Sequence, residues 1–329
     1  MATRIAINGL GRIGRAALKL LLEREDVEVV AVNDLAPAET LAHLIKYDSI
    51  HGRYAEMVSC DDNTLYFVDR AVPYFSQRNP EDLPWKELDV DLVIECTGVF
   101  RKRVDAARHL TAGAKKVLLS APPGTPDVKT VVLGINDEII VGDEDIISNA
   151  SCTTNCVAPM VKVIDELAGI ENAYISTIHA YTADQNLHDA PHSDLRRARA
   201  AAQSIVPTST GAANAIGRIF PHLSGKMGGV GIRVPVPDGS LTDLAVIVKS
   251  EVTVEQINKA FLKAAIGPMR GYLQYVSEPI VSIDIVGNPH SCIFDSQLTA
   301  VTGKLVKIVG WYDNEMGYSN RLVEMAAML

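Results

Sequence analysis

A glycine-rich turn near the amino terminus constrains the fold of this chain more than any other feature. The turn, GLGRIG at 9–14, stands between a strand-like apolar segment at 3–8 and a segment at 12–24 whose apolar residues recur at helical spacing. A second apolar run, VEVVAVND at 27–34, follows. Strand, turn, helix and strand make a βαβ unit, and short continuous apolar runs are typical of buried parallel strands. The sequence therefore predicts an open, doubly wound parallel sheet.

Three further apolar runs extend this pattern to about residue 150. They lie at 90–98, 115–122 and 130–136, and we expect each to be a strand of the same sheet. Beyond residue 151 the strands become longer, few helices interrupt them, and a long polar and basic loop occupies 183–211. This change favours a mostly antiparallel sheet with helices on one face.

The second part of the chain is predicted to begin with a helix and to continue mainly as strands. The predicted elements are a helix at 152–168, strands at 173–182, 230–237, 241–250, 280–287 and 305–313, a helix at 254–265, and a closing helix at 315–328. We therefore expect an α/β domain at 1–150 and an α+β domain at 151–314. The closing segment, 315–329, is expected to pack back on the first domain.

Composition argues against several classes of protein. The chain is 47% hydrophobic and 22% charged, which is ordinary for a globular protein. Its net charge of −9 argues against a nucleic-acid-binding surface, because lysine and arginine hold a phosphate backbone. We find no signal-peptide pattern and no apolar run of membrane-spanning length. The five cysteines are scattered and odd in number, which fits reduced thiols. We expect a cytoplasmic protein with no nucleic-acid or membrane partner.

Gly9, Gly11 and Gly14 fit the pattern G-x-G-x-x-G, which by itself also describes an ordinary tight turn. Here the pattern follows a strand, opens a helix and precedes Asp34 at the end of the next strand, as in a Rossmann dinucleotide-binding unit. Gly9 permits the sharp turn, Gly11 leaves room for a pyrophosphate, and Gly14 lets helix and strand pack closely. Because Asp34 would accept hydrogen bonds from ribose hydroxyls and repel a 2′-phosphate, NAD is favoured over NADP.

Cys152 and Cys156, in SNASCTTNC, pose a choice between a ligand pair, two core residues and one reactive thiol. The C-x₃-C spacing lacks the usual zinc pattern, so we expect no metal site. Two core cysteines and a catalytic Cys152 are equally plausible from this segment alone. At a helix N-terminus, the dipole is expected to lower the pKa of the Cys152 thiol. His179, in STIHAYT, favours a Cys–His nucleophile pair, although a lone histidine is more often structural.

Arginine and hydroxyl side chains in the second part of the chain suggest anion binding. The loop carries Arg196, Arg197 and Arg199 and runs into the segment TSTG at 208–211. Arginines of this kind are often only a solvated surface or an interface, but a guanidinium beside threonine hydroxyls and glycine N–H groups suits a phosphate. Arg233 interrupts an otherwise apolar strand and so needs a partner, which an anionic ligand can supply.

Six segments carry a resemblance that covers essentially the whole chain. They are INGLGRIGR, SNASCTTNC, the pair DLRRARAAA and SIVPTSTGAA, and the pair WYDNE and GYSNR. In this order they resemble the glyceraldehyde-3-phosphate dehydrogenase family, the phosphorylating, NAD-dependent enzymes of glycolysis. The resemblance supplies a substrate, whereas the residues alone indicate only an NAD enzyme with a reactive thiol and anion sites.

The resemblance implies a role for each matching position. Cys152 would be the nucleophile and His179 its base. The substrate's C3 phosphate would be held by Thr182 and Arg233, and inorganic phosphate by Ser151, Thr153, Arg197, Thr210 and Gly211. NAD would be contacted by Arg12, Ile13, Asp34, Arg78, Ser120 and Asn314, together with the three glycines of the turn.

The resemblance also implies a covalent mechanism and an assembly. Attack of the Cys152 thiolate on the aldehyde would give a hemithioacetal; hydride transfer would turn it into a thioester, which phosphate would cleave to an acyl phosphate. The loop at about 180–205 resembles the family's S-loop, which lies at a subunit interface, so a homotetramer is implied.

Three positions depart from the family's usual pattern, and three alternative functions compete. Asn214 replaces a lysine, Met316 a tryptophan and Ala183 an asparagine. Erythrose-4-phosphate dehydrogenase would be expected to lack Thr182 and TSTGAA, and an NADP-dependent member would be expected to have small hydroxyl residues where Leu35 and the pair at 190–191 stand. A catalytically silent binding protein is disfavoured by the intact cysteine and histidine and by the acidic balance.

Overall fold

The computed structural model describes residues 2–329, which fall into two compact units. The first unit contains 2–131, 138–150 and 319–329, and the second contains 132–137 and 151–318. Among the described residues, no helix is long and apolar enough to cross a membrane.

The described part of the first unit forms a nine-stranded sheet with helices and a small two-stranded sheet. The sheet order is β10-β11-β9-β8-β1-β2-β7-β6-β5, and β3 pairs with β4. The strands are β1 Thr3–Asn8, β2 Val27–Asn33, β3 Tyr47–Asp48, β4 Gly52–Arg53, β5 Ser59–Cys60, β6 Thr64–Phe67, β7 Arg70–Phe75, β8 Leu92–Glu95, β9 Lys116–Leu119, β10 Lys129–Thr130 and β11 Ile146–Ser148. The helices are α1 Arg12–Leu22, α2 Ala38–Lys46, α3 Arg103–Ala106 and α4 Arg108–Thr111, with 3₁₀ turns at Pro80–Asp82 and Asp137–Ile139.

The order of the central strands places one end of β1 at a switch point. Strand β1 pairs in parallel with β2 on one side and with β8 on the other. The chain passes from β1 to β2 on one side of β1 and later forms β8 on the other side. In open α/β sheets a ligand binds at the carboxyl ends of the strands where the order reverses. The glycine turn that follows β1 lies at this point.

The described part of the second unit forms an eight-stranded sheet with helices. The main order is β13-β14-β12-β15-β19-β17-β16, and β18 pairs with β19. The strands are β12 Ile170–Ala180, β13 Val206–Thr208, β14 Met227–Val234, β15 Ser240–Val248, β16 Leu273–Val276, β17 Cys292–Asp295, β18 Ala300–Thr302 and β19 Leu305–Tyr312. The helices are α5 Cys152–Ala168, α6 Ala212–Ile219 and α7 Val254–Ile266, with 3₁₀ turns at Ala201–Gln203, Pro221–Leu223, Ser282–Ile285 and Ser296–Leu298. The last helix, α8 Met316–Met328, has its first three residues in this unit and the rest in the first unit.

The predicted fold class is confirmed, since a parallel-rich sheet in the first unit accompanies a mostly antiparallel sheet in the second. Two pairs in the second sheet, β12 with β14 and β16 with β17, are parallel. The remaining pairs described there, such as β12 with β15, are antiparallel. Helix α5 packs against β15, β17 and β19 and so rests on the sheet that carries the other site residues.

Two predicted strands are wrong in whole or in part. At 130–136 only the first residue belongs to a strand, because Gly134 has a φ of +75° and the Asn136 side chain accepts a hydrogen bond from the Val132 N–H (2.8 Å). At 280–287 the chain forms the 3₁₀ turn Ser282–Ile285, which Asp284 closes by accepting from the Val281 N–H (2.7 Å). The first segment buries Val131, Val132 and Leu133 from a turn, whereas in the second Ile285 is buried but Val281 and Ile283 are exposed. In both, a run of apolar residues indicated a strand in the sequence although the backbone turns.

Candidate active site

The glycine turn of the first unit has the geometry that a bound pyrophosphate requires. Gly9 has a φ of +95°, which an L side chain rarely adopts. A Cβ on Gly14 would lie 1.9 Å from the Gly9 carbonyl oxygen, whereas a Cβ on Gly11 would meet nothing within 4 Å. Gly14 is therefore required by the packing of the protein itself. Gly11 faces open space, which a side chain would take from a ligand.

Helix α1 begins without a side-chain cap. Its N-cap, Gly11, is extended and has no side chain to bond the first turn, and the N-terminal end of a helix favours an anion. The Asp34 carboxylate accepts from the N–H groups of Leu10 (2.7 Å) and Ala36 (2.9 Å). These bonds fix the carboxylate beside the turn, where it can receive ribose hydroxyls.

A cavity of about 530 Å³ lies at this end of the sheet. Of the predicted cofactor residues, Gly9, Gly11, Asp34 and Arg78 line it. Among the described residues, its lining does not include Arg12, Ile13, Gly14 or Ser120. Open space at Gly11 and the fixed Asp34 carboxylate fit an adenine dinucleotide.

Two predicted cofactor residues outside the lining have other partners. Arg12 pairs with Asp48 at 2.8 Å, and Ser120 hydrogen-bonds the thiol of Cys96. Burial raises the pKa of the Cys96 thiol to about 12.

A buried polar network under the cavity was missed by sequence reasoning. Glu95, almost completely buried, accepts from the Asn8 amide (2.6 Å), His109 Nε2 (3.0 Å) and the Thr97 N–H (2.8 Å). Asn33 donates to the Asn8 side chain at 2.7 Å. The signal was present, because polar residues end the apolar strands IAIN, VAVN and LVIE. The network fixes the strand ends that form the floor of the cavity.

In the second unit, helix α5 begins at Cys152 as predicted. Ser151 is its N-cap, and its Oγ accepts from the Thr154 N–H at 3.1 Å. The Ser151 hydroxyl also contacts the Thr154 hydroxyl at 2.8 Å. Cys156 lies one turn further along the helix and is completely buried, with its Sγ 3.6 Å from the Gly310 carbonyl oxygen. The two cysteines therefore have different surroundings, and only Cys152 is partly accessible.

The structure brings His179 to Cys152. The Cys152 Sγ lies 3.4 Å from His179 Nε2, and His179 Nδ1 lies 2.7 Å from the Ala180 carbonyl oxygen. In the parallel pair β12 and β14, His179 is opposite Arg233, whose Nη1 lies 2.7 Å from Nδ1 and donates to the Ala180 carbonyl at 3.0 Å. When Nδ1–H donates to that carbonyl, Nε2 carries the lone pair that faces the thiol.

The pKa that we predicted for Cys152 is wrong in direction. Burial raises the pKa of the thiol to about 11, and the opposing effects of the Arg233 charge and of the Thr153 hydrogen bonds are smaller. Burial, followed by the Arg233 charge, lowers the pKa of His179 to about 3. The ligand-free site therefore holds a neutral thiol beside a neutral imidazole. The thiolate forms when the imidazole takes the proton during attack.

Tyr312 supports this centre and was not predicted. Its hydroxyl lies 2.9 Å from the Thr153 hydroxyl and 2.8 Å from the Thr177 hydroxyl. Its ring meets the His179 ring edge-on, with centroids 5.8 Å apart. Thr153, predicted to bind phosphate, is buried and directed to Tyr312 and the Cys152 thiol. Tyr312 could have been found only from the pairing of strands across the sheet, which the sequence does not give.

The predicted anion-binding side chains meet at one carboxylate. Asp184 accepts from the Thr182 hydroxyl and pairs with the Arg197 guanidinium, and it lies 4.0 Å from Arg233. Arg197 also donates to the Thr208 hydroxyl at 3.0 and 2.8 Å. The structure thus connects residues that were predicted for two different phosphates.

Two predicted phosphate residues lie at another helix terminus. Gly211 is the N-cap of α6, where a Cβ would meet nothing within 4 Å, and the Thr210 hydroxyl accepts from the Ala212 N–H at 3.3 Å. No hydrogen bond that joins them to Asp184 or Arg197 is found in the described chain. They form the N-terminal end of α6, with open space beside the glycine.

Asn314, predicted to contact the nicotinamide, is held from the strand that carries His179. The Ser240 hydroxyl donates to the Asn314 side-chain oxygen at 2.6 Å and accepts from the Ala180 N–H at 3.0 Å. Ser240 therefore fixes the orientation of the Asn314 amide, and it too was missed by sequence reasoning.

Comparison with known proteins finds two matching domain models, both of one family, and many relatives. Residues 3–103 match the model for the glyceraldehyde 3-phosphate dehydrogenase NAD binding domain, and 151–314 match that for the C-terminal domain. The chain is 55% identical to glyceraldehyde-3-phosphate dehydrogenase 2 of Streptomyces avermitilis over 332 aligned positions. It is 54% identical to the enzyme of Streptomyces coelicolor and 53% identical to that of Mycobacterium avium. Each alignment covers 100% of this chain and 99% of the relative.

Proposed function

Because this chain belongs to the glyceraldehyde-3-phosphate dehydrogenase family, its activity is the NAD-dependent oxidation of glyceraldehyde 3-phosphate in glycolysis, and we propose that Cys152 and His179 carry out the covalent step. The observation that carries the proposal is the 3.4 Å approach of the Cys152 Sγ to His179 Nε2. A nucleophile and its base at this separation are ready for proton transfer.

Proton transfer accompanies attack in this site. The Cys152 thiol gives its proton to His179 Nε2 as sulfur bonds to the aldehyde carbon, which produces a hemithioacetal. In the tautomer that carries its proton on Nδ1, this nitrogen donates to the Ala180 carbonyl and holds the ring in place while Nε2 gains the proton. The positive charge of Arg233 favours the thiolate and disfavours the imidazolium, so His179 is a transient base that gives the proton to the former aldehyde oxygen, which becomes the hydroxyl of the hemithioacetal.

The oxidation step turns the hemithioacetal into a thioester on Cys152. Bound NAD would supply the hydride acceptor for this step. His179 takes the hydroxyl proton of the hemithioacetal, and the thioester keeps part of the oxidation energy. Inorganic phosphate then attacks the thioester and releases 1,3-bisphosphoglycerate, while the sulfur regains a proton from His179. Backbone N–H groups at the start of α5 are suited to stabilise the oxyanion.

We assign the two phosphate groups to the residues that the family pattern implies. Thr182 and Arg233 would hold the C3 phosphate. Inorganic phosphate would be held by Ser151, Arg197, Thr210 and Gly211, with Thr153 acting mainly through its hydrogen bonds to the Cys152 thiol. The open space beside Gly211 at the end of α6 supports this assignment.

NAD binding is assigned to 1–150 and catalysis to 151–314. Gly9, Gly11, Asp34 and Arg78 are the residues that would contact NAD directly, and the bonds that fix the Asp34 carboxylate support a preference against a 2′-phosphate. Asn314 would hold the nicotinamide amide. Arg12, Ile13, Gly14 and Ser120 would shape the surroundings.

The assembly and location are also proposals. The S-loop of the family, about 180–205 here, exposes Leu187 (66%) and Leu195 (82%), apolar side chains of the kind that a subunit interface buries. This supports a homotetramer. A cytoplasmic location is supported by the five free cysteines and the glycolytic activity.

A substrate panel tests the assignment. NADH formation is measured with glyceraldehyde 3-phosphate, with and without inorganic phosphate, and then with erythrose 4-phosphate and with NADP. We expect sustained turnover only with glyceraldehyde 3-phosphate, NAD and phosphate together. Sustained turnover without phosphate, or a preference for erythrose 4-phosphate, would contradict the phosphorylating assignment. Sedimentation at micromolar concentration tests the tetramer, and a monomer would contradict it.

A further inference from the structure

Asp184 occupies a position that a phosphate-binding site should not favour. Its carboxylate accepts from the Thr182 hydroxyl through one oxygen and pairs with Arg197 through the other. Arg233 Nη2 lies 4.0 Å from it. All three neighbours are assigned above to phosphate groups, yet a fixed negative charge lies among them. Such a charge repels the ligands that the site is built to take.

The bonding of Asp184 differs from that of the other acidic residues on the same loop. Asp194 lies 3.4 Å from Arg197 and accepts from the N–H of Arg196, but it has no contact with Thr182 or Arg233 among the described residues. Asp189 pairs with Arg199 at 3.0 Å on the exposed part of the loop. Asp184 alone of these three bridges residues of both phosphate subsites.

The electrostatics support an ionised carboxylate. Burial acts to raise the pKa of Asp184, but the Thr182 hydrogen bond and the charges of Arg233 and Arg197 outweigh it, so the pKa is lowered. The guanidinium groups are largely buried, with side-chain exposures of 20% for Arg197 and 15% for Arg233. Two arginines held so far from water need anions. Asp184 faces both of them, whereas Asp194, 3.4 Å from Arg197, faces only one.

We propose that Asp184 is an internal substitute for phosphate, which holds the Thr182 hydroxyl and the Arg197 guanidinium in place and must give them up when either phosphate binds. This rests on the proposed function. A phosphate at Thr182 takes the hydroxyl that Asp184 uses, and the carboxylate then leaves Arg197 as well. The first anion therefore prepares the second subsite, which offsets the repulsion between two phosphates. The same competition keeps each anion weakly bound, which favours release of the product.

The Asp184→Asn variant removes the negative charge of the side chain and keeps its shape. The amide oxygen can still accept from Thr182 or Arg197, but the negative charge is lost. A charge within about 4–6 Å shifts a pKa by about 1–3 units, and one unit corresponds to a factor of ten, so we expect inorganic phosphate to bind about tenfold more tightly when the negative charge is removed. Asp189→Asn is the matched control, because it makes the same change of charge on the same loop away from the two subsites.

The test is titration of inorganic phosphate into the NAD-loaded wild type and both variants by calorimetry, at constant ionic strength set with chloride. Tighter binding by Asp184→Asn, with Asp189→Asn unchanged, supports the proposal. Equal or weaker binding by Asp184→Asn would overturn it and leave Asp184 as a scaffold for the arginine. The thermal midpoint without phosphate shows whether each variant folds, and Asp184→Ala repeats the comparison if the amide variant does not.

The KM for phosphate, measured with two substrates, tests the coupling between the two phosphate subsites. With glyceraldehyde 3-phosphate, we expect the KM for phosphate to be lower than with unphosphorylated glyceraldehyde in the wild type. In Asp184→Asn the two values should converge within about twofold, because no carboxylate remains to be displaced. An unchanged difference would overturn the coupling. The calorimetric result does not need turnover, so a failure of the proposed function would be seen separately, as a wild type that binds phosphate but makes no NADH.

Discussion

In the first unit, Gly9, Gly11 and Gly14 lie within six consecutive residues, and the sharp turn, the open space and the helix terminus all come from that one segment. In the second unit, the residues in contact are far apart in the sequence. His179 lies 27 positions from Cys152 and 54 from Arg233, and Tyr312 lies 159 positions from Thr153. Cofactor geometry is local in sequence, whereas catalytic geometry depends on the register of a sheet. A single substitution should therefore have different consequences in the two places.

The largest effect is expected at the nucleophile. Cys152→Ser should lower kcat by about 10⁴-fold or more, because a hydroxyl is a far weaker nucleophile and gives an ester rather than a thioester. Cys156→Ser, one turn away, should leave kcat within about twofold and cost about 1 kcal/mol of stability by placing a hydroxyl in an apolar core. Steady-state kinetics and thermal unfolding measure the two. Equal losses of activity would mean that the two cysteines act together.

The second largest effect on kcat is expected at the base, His179. His179→Asn should lower kcat by about 10²–10⁴-fold, since it removes general base catalysis but keeps the polar volume. NAD binding, measured by calorimetry, should be unchanged because the cofactor geometry is carried by the first unit. A parallel loss of NAD affinity would show that the two regions are not separable in this way.

The pKa of Cys152 gives a third expectation. Since burial raises the pKa to about 11, the rate of iodoacetamide alkylation at Cys152 in the ligand-free protein should rise about tenfold per pH unit between pH 8 and pH 10. The thiolate fraction sets this rate. A helix dipole strong enough to lower the pKa would instead give a rate that is already flat at neutral pH. Mass spectrometry of the labelled peptide follows Cys152 separately from Cys156.

Substitutions at two glycines of the turn are expected to have different effects, one on NAD binding and the other on stability. Gly11→Ala should bind NAD about 10–100-fold more weakly with an unchanged thermal midpoint, because the new methyl group enters open space that a pyrophosphate needs. Gly14→Ala should lower stability by about 1–3 kcal/mol, because the methyl group would lie 1.9 Å from the Gly9 carbonyl oxygen. Calorimetry and thermal unfolding distinguish them. A stable Gly14→Ala with unchanged affinity would contradict the packing argument.

The smallest effect is expected at Tyr312. Tyr312→Phe removes the hydroxyl that bridges Thr153 and Thr177 and should cost about 1 kcal/mol of stability, with only a few-fold loss of kcat. The His179 contact is made by the ring and is retained. A loss of kcat as large as that of His179→Asn would place the tyrosine hydroxyl in the chemistry.

The sequence was informative where geometry is local. The βαβ unit, the bounds of α5 and the separation of Cys152 from its buried neighbour Cys156 follow from spacing and caps. Tyr312 and Ser240 were missed because their contacts join strands and helices far apart in the sequence, which spacing does not reveal. Asp184 was missed because its position among Thr182, Arg197 and Arg233 depends on the conformation of an irregular loop. The direction of the Cys152 pKa was wrong because the helix dipole was visible in the sequence, while burial of the thiol was not.

Trapping the acyl-enzyme tests the central claim most directly. Enzyme, NAD and glyceraldehyde 3-phosphate are mixed without inorganic phosphate, quenched in acid and digested, and the peptides are analysed by mass. We predict one equivalent of NADH per subunit, one acyl group on Cys152, none on Cys156, and release of that group with renewed turnover when phosphate is added. Sustained NADH formation without phosphate, or a burst that leaves Cys152 unmodified, would contradict this prediction.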